Sequence, residues 1–217
     1  MFWEDVGVSD RIALSEAGNH RSYLSGELLF AEGEQSTHVI VVRRGRVKIT
    51  RTSADGNEAL LEVRGPGSLL GEMSFFDGRP RSASGWAITG VEALVLPAKR
   101  FQPLLAERPD LNAVVLRDLS QRLRQASHRQ LESAVGDAFA RLAGRLAELA
   151  DDGVTQPDGS IDVELGLTQQ DLADWIGVSR EAVVMALRQL RQRGWIETGR
   201  KRVRIIDLQQ LRAAGIS

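Results

Sequence analysis

Cysteine is missing from all 217 residues, which removes disulfides, thiolate chemistry and cysteine-ligated iron–sulfur clusters together. Histidine is nearly as scarce. His20, His38 and His128 stand alone, none in the His-x-His or His-Glu spacing that a metal-binding β-barrel enzyme requires, so surface or packing roles suit them. No histidine lies between Gly65 and Gly90, and neither metal nor haem is expected. Ser82 and Ser127 lack a His or Lys at a recognisable activating spacing, and the chain is read as a non-enzyme. Long apolar runs are absent as well: nothing approaches the roughly 20 residues of a membrane helix. The opening MFWEDVGVSD carries acids where a secretory signal needs a basic region and an apolar core, so a cytoplasmic protein without a membrane partner is expected. Internal repeats and low-complexity tracts are not found.

What is present changes in texture along the chain. From Ser22 to about Pro97, short apolar runs (Glu27–Phe30, His38–Val42, Arg46–Thr50, Ala59–Val63, Trp86–Thr89, Ala93–Leu96) alternate with turn signals such as Asp55-Gly56 and Gly65-Pro66-Gly67. That spacing predicts an antiparallel roll or barrel. Gly and Pro then thin out. Leu116, Leu119, Leu123 and Ala126 recur at 3-4-3 spacing, the seam of a short paired helix that runs on only into polar Gln130 and Ser133. A second stripe, Val135, Phe139, Leu142, Leu146 and Leu149, predicts another amphipathic helix, followed by a surface loop over Asp151–Gly159.

The most specific pattern is TQQDLADWIGVSREAVVMALRQL, Thr168 to Leu190. Thr168 suits an N-cap with Asp171 reaching back in a capping box, and Leu172, Trp175 and Ile176 share one helical face. Gly177 fits a turn needing positive φ, and Ser179 can cap the next helix. In that helix Val183, Ala186, Leu187 and Leu190 form a buried stripe, leaving Arg180, Glu181, Val184, Arg188 and Arg191 outward or at its margin. An outward Arg-Glu pair also occurs on ordinary solvated helices; the cap, turn and spacing together argue for helix-turn-helix DNA reading, where Arg can bond guanine and Glu can accept from cytosine in the major groove. Two strands around the cationic turn Thr198–Arg202 suit a wing. From Thr168 to Arg204 there are eight Lys or Arg against four Asp or Glu, although the whole chain has net charge −1. Local charge is what meets phosphate.

A further chemical signal lies in GEMSFFDGRPRSA, Gly71 to Ala83. A carboxylate at one end of a short helical turn, with an Arg and a hydroxyl at the other, can serve ribose hydroxyls and a phosphate. An internal Glu–Arg ion pair beside a loop would use the same spacing.

Taken together, these segments resemble the cyclic-AMP receptor protein (Crp/Fnr) family of bacterial transcription regulators over nearly the whole chain. The resemblance implies an α+β fold: an N-terminal cyclic-nucleotide-binding β-roll (double-stranded β-helix or jelly roll), residues 1–108; a long dimerisation helix and hinge, 109–135; and a C-terminal winged helix-turn-helix, 136–217. By the same resemblance, Glu72 would bind the ribose 2′-hydroxyl and Arg81 and Ser82 the cyclic phosphate, with Gly71 and Met73 supplying backbone near the ligand. Arg122 and Ser127 would face the nucleotide from the dimer helix, Ser127 reaching adenine in the other subunit. The implied effector is cyclic AMP. The implied partners are a second copy and double-stranded DNA with a palindromic site, with RNA polymerase a further candidate. Arg180 and Glu181 would read bases, and Thr168, Gln169, Gln170, Ser179, Arg188, Arg200 and Lys201 would complete the DNA-binding set, mainly on phosphates. Two positions depart from the family pattern: Ala126 stands where the adenine-contacting pair usually begins with Thr, and Met185 where the recognition helix usually carries a basic residue. A core related to the family's GTGA half-site is still implied by Arg180 and Glu181. Two other readings stay open: the same fold with another effector or none, and a nucleotide-binding module without significant DNA regulation, which the basic wing disfavours.

Overall fold

A computed structural model describes residues 1–53, 56 and 58–215, without the side chains of 129 and 131–135. Asp55 of the Asp55-Gly56 turn, and the side chains of Ser133 and Val135, therefore lie outside the described residues. Two compact units divide the chain, Met1–Gln125 and Ala126–Ser217.

The first unit opens with two helices, α1 (Phe2–Asp5) and α2 (Val8–Ala17), followed by strands β1 (Asn19–Tyr23), β2 (Leu28–Phe30), β3 (His38–Arg44), β4 (Val47–Thr52), β5 (Glu58–Arg64) and β6 (Leu69–Leu70). Helix α3 (Glu72–Asp77) precedes β7 (Ser84–Ala87) and β8 (Val91–Pro97), then α4 (Ala98–Glu107) and α5 (Pro109–Val135). The strands pair antiparallel into two four-stranded sheets, β1-β8-β3-β6 and β2-β7-β4-β5. The apolar run of β3 has a direct cause: Ile40 and Val42 enter the core between the sheets, while Val39 and Val41 face a second core built with Phe2, Leu14, Phe101, Leu111, Val114 and Val115. A strand covered on both faces carries no polar alternation. Thus Pro109, whose fixed φ suits a first helical position, opens a helix whose start is fastened to the roll by Leu111, Val114 and Val115. Of the expected seam, Leu116 and Leu123 are 62% and 70% exposed, whereas Leu119 is half-buried against the core.

In the second unit come α6 (Ala138–Ala150), β9 (Val154–Thr155), β10 (Ile161–Glu164), α7 (Gln169–Ile176), α8 (Arg180–Gln192), β11 (Ile196–Gly199), β12 (Arg202–Ile205) and α9 (Leu208–Gly215). The sheet order is β11-β12-β10-β9, and α6 packs on α7, α8 and α9 through Leu142, Leu146, Leu172, Leu190 and Leu211. Two expectations need correction. The second amphipathic helix starts at Ala138, not Val135, because Asp137 is extended and its side chain accepts from the Ala140 amide at 2.8 Å, which ends one helix and caps the next. Asp151–Gly159 is not all loop, since Val154 and Thr155 pair with Asp162 and Ile161. Two residues, with Val154 66% exposed, are too short to show alternation.

Candidate functional site

A cleft of about 470 Å³, open solvent included, lies in the first unit and is lined by Gly71, Glu72, Met73, Arg81, Ser82 and Arg122 together with Phe30, Ile49, Glu62, Arg64, Leu70, Ser74 and Ala83. Six of the seven residues expected at the ligand are thus brought together; Ser127 belongs to the second unit, exposed on α5. Gly71 starts α3 at φ 79°, a left-handed conformation that demands glycine, and a Cβ there would also displace the Arg81 guanidinium. Helix α3 is anchored by Phe75, which packs into the core 5.1 Å from Phe101, and the loop closes through the Ser74 hydroxyl donating to the Pro80 carbonyl at 3.2 Å. The Arg81 amide donates to Glu34 and its carbonyl accepts from Gly33, both at 2.8 Å.

The charges in this cleft are buried. Arg81 is only 3% exposed, its Nη1 donating to the Gly71 carbonyl at 2.7 Å and its Nη2 to the His38 carbonyl at 2.5 Å, with the guanidinium over the Phe30 ring. Burial pushes its pKa below the ordinary arginine value, while Glu72 and Glu34 pull it back up. Burial and then Arg81 likewise lower His38. Glu72 pairs with Arg122, Nη1 to Oε1 at 2.6 Å, rather than with Arg81. Arg122 also donates to the Leu69 carbonyl at 2.7 Å and pairs with Asp118 one turn earlier on α5; its Nε is buried without a hydrogen-bond partner. Arg64 and Glu62 add an ion pair at 2.8 Å, with Arg64 lowered by burial and raised by Glu62. Sequence reasoning missed Glu62, Arg64 and Asp118. The available signal was Glu62 and Arg64 following buried Leu60 at period two along β5, polar residues continuing a covered face.

This set fits a cyclic nucleotide. A buried cation whose hydrogen bonds go to neutral carbonyls gains from an anionic ligand, Ser82 stands exposed beside it, and Glu72 retains acceptor capacity for a hydroxyl beyond its bond to Arg122. Among the described residues, no group of three His, Asp or Glu could hold a metal ion, and no helix is long and apolar enough to cross a membrane.

The second unit carries the other candidate surface. Thr168 caps α7 in a capping box with Asp171, which takes both the Thr168 amide (2.8 Å) and hydroxyl (2.7 Å). Thr168 therefore spends its donors within the cap. Gly177 ends α7 at φ 67°, and Ser179 caps α8 by accepting from the Ala182 amide at 3.2 Å, which leaves its own hydroxyl proton to donate. Val183, Ala186, Leu187 and Leu190 are buried, and Arg180, Glu181, Val184, Met185, Arg188 and Arg191 are exposed. Gln169 and Gln170 lie exposed on the first turn of α7, Gln170 donating to Asp174 at 2.8 Å. In the wing, the turn is shorter than Thr198–Arg202: β11 runs to Gly199 and β12 starts at Arg202, so that Arg200-Lys201 form the exposed two-residue turn. Lys201 takes φ 57°, held there by its carbonyl accepting from the Leu165 and Gly166 amides at 2.9 and 3.1 Å. Arg204 is occupied instead, donating to Ser160 and Asp158 at 2.8 Å each.

Residues 20–108 match the cyclic nucleotide-binding domain family, and residues 140–214 match the Crp-like helix-turn-helix domain family. The chain is 37% identical over 209 residues to the CRP-like cAMP-activated global transcriptional regulator of Mycobacterium tuberculosis, covering 96% of this chain and 93% of that one. It resembles the solved structure of FixK2 from Bradyrhizobium japonicum at TM-score 0.79 and 21% identity, over 91% and 96% of the two chains, a likeness of fold alone. The c-di-GMP-responsive regulator CLP of Xanthomonas campestris shares the fold at TM-score 0.73 and 23% identity, over 92% and 99%.

Proposed function

The chain belongs to the Crp family of transcription regulators, which bind DNA through a helix-turn-helix and carry a cyclic nucleotide-binding domain, and on that premise we propose that cyclic AMP in the Glu72–Arg81–Arg122 cleft sets the grip of a homodimer on a palindromic DNA site. The observation carrying this reading is the buried Arg81 guanidinium, a cation lining the cleft whose Nη groups donate to the Gly71 and His38 carbonyls rather than to a carboxylate. When bound, the nucleotide supplies an anionic phosphodiester and a ribose hydroxyl. Arg81 and Ser82 hold the anion, Gly71 and Met73 present backbone, and Glu72, fixed by Arg122, accepts the hydroxyl. Ser127 meets the base from the second subunit. The dimer forms along Leu116, Leu119, Leu123 and Ala126, where exposed leucines gain by mutual burial.

Because Glu72 is tied to α5 through Arg122, a ligand at Glu72 bears directly on the helix of the dimer seam. Nucleotide then favours the arrangement that spaces two α8 helices about 34 Å apart, one DNA turn. Arg180 and Glu181 read bases; Gln169, Gln170, Ser179, Arg188, Arg200 and Lys201 hold phosphates, and Thr168 does so only if its cap opens. The domain limits that go with this reading are 1–108, 109–135 and 136–217. The protein catalyses nothing in this reading and works on DNA in the cytoplasm, where occupancy helps or blocks RNA polymerase. A different effector is the second reading, favoured by Ala126, which brings no hydroxyl to the base, and by the Glu62–Arg64 pair in the cleft.

Calorimetric titration of the purified chain with cyclic AMP and cyclic GMP separates the readings: preferential uptake of cyclic AMP supports the first, and uptake of neither removes it. For the dimer, Leu123→Glu brings two like charges to the seam. A variant that still sediments as a dimer at low micromolar concentration would place the interface elsewhere.

A further inference from the structure

The outward face of α8 contains more than charges. Val184 and Met185 are 41% and 64% exposed, in the same arc as Arg180, Glu181 and Arg188, while Val183, Ala186, Leu187 and Leu190 complete the buried stripe without them. Val184 follows Arg180 by one helical turn and Met185 follows Glu181 by one turn, about 6 Å along the axis. Helical side chains lean toward the N-terminus, so these two aliphatic groups lie over the turn that carries the Arg-Glu pair. Two exposed apolar side chains set among Arg180, Glu181 and Arg188 gain nothing from phosphates. They gain from an apolar surface, and the only such group on a base edge in the major groove is the thymine 5-methyl.

We infer that Val184 and Met185 form an apolar reading head that recognises thymine 5-methyl groups in the base pairs next to those contacted by Arg180 and Glu181. This rests on α8 entering the major groove, and it turns the missing cation at Met185 into a positive preference. Thioether and isopropyl groups pack on a methyl without directional bonds, so the preference is for T·A pairs and is insensitive to salt.

The test uses the full chain with cyclic AMP and the duplex recovered by selection from a random pool. Each thymine of one half-site is replaced in turn by deoxyuridine, which removes the methyl alone, and binding is followed by fluorescence anisotropy. One or two positions should bind about fourfold more weakly, the ratio equivalent to about 0.8 kcal/mol for one methyl-sized group, and the penalty should persist at raised salt. In the double variant Val184→Ser, Met185→Gln, which leaves neither side chain a methyl, the deoxyuridine penalty should vanish while binding to random-sequence duplex stays unchanged, which also shows that the variant is folded. Equal binding of thymine and deoxyuridine sites at every position, or a selected half-site without thymine, overturns the inference. Arg180→Ala, measured alongside, separates the levels: weakened binding there without a deoxyuridine penalty removes the methyl reading alone, and no loss in either removes α8 from the groove.

Discussion

The two ends of this chain handle arginine in opposite ways. At the cleft, Arg81 and Arg122 lie in the protein, their Nη groups engaged with the carbonyls of Gly71, His38 and Leu69 and the carboxylates of Glu72 and Asp118. On α8 and the wing, Arg180, Arg188 and Arg200 stand in water. A buried charge is expensive to strand and little screened, so its loss should be large and local. An exposed charge is inexpensive to remove in the free protein and meets a polyanion through counterion release, so its loss should be modest and salt-dependent. Cleft and groove therefore make different demands on the same residue type.

The largest effect should come from the cleft's own architecture. Arg122→Met leaves Glu72 and Asp118 buried beside a neutral side chain, and urea unfolding should show about 3–5 kcal/mol less stability, the usual consequence of breaking a buried pair. A loss near zero would mean that the cleft charges are solvated and the contrast with α8 disappears. Next, Arg81→Ala should weaken cyclic AMP binding by at least about 2 kcal/mol in calorimetry, since charge-assisted bonds contribute on the order of 1.5–3 kcal/mol. Unchanged titration curves would move the phosphate elsewhere.

Smaller changes are expected in the groove. Arg180→Ala should lose about 1–3 kcal/mol on the best site and relax preference at one base pair, while folded stability barely moves. A motif that stays equally sharp after selection with this variant would show that another residue reads that pair. Smallest is Lys201→Ala, which should weaken all sequences alike and flatten the salt dependence by about one charge. Sequence-selective loss would give the wing tip a reading role.

The same contrast explains what the amino-acid sequence disclosed. The Thr168–Asp171 box, the left-handed Gly177, the Ser179 cap and the four-residue buried stripe of α8 are all local events, none longer than about two helical turns, and each was legible from spacing. The roll was legible too, because β3 and its neighbours announce themselves through apolar runs. In the cleft, Gly71 to Arg81 could be read because that segment is contiguous. Glu62 and Arg64 lie outside that segment, on β5, where only their period-two spacing from Leu60 marks them; Asp118 joins through Arg122 from a helix far along the chain, and an ion pair between Glu72 and Arg81 suited the spacing as well as the Glu72–Arg122 pair that forms. Helix α2 escaped for another reason: Val8 and Ile12 are 76% and 55% exposed, which blurs its apolar face. Strands of two residues, β6 and β9, are too short to repeat even the two-residue period of a strand.

Coupling between the two ends is the central claim, and one comparison addresses it: affinity of the full chain for a duplex bearing both half-sites, measured by gel shift with and without saturating cyclic AMP, for the unaltered protein and for Arg81→Ala. Cyclic AMP should tighten binding by at least about tenfold in the unaltered protein, a coupling of about 1.4 kcal/mol, and should do nothing in Arg81→Ala, whose nucleotide-free affinity should match. Equal affinity of the unaltered protein with and without the nucleotide would contradict the account.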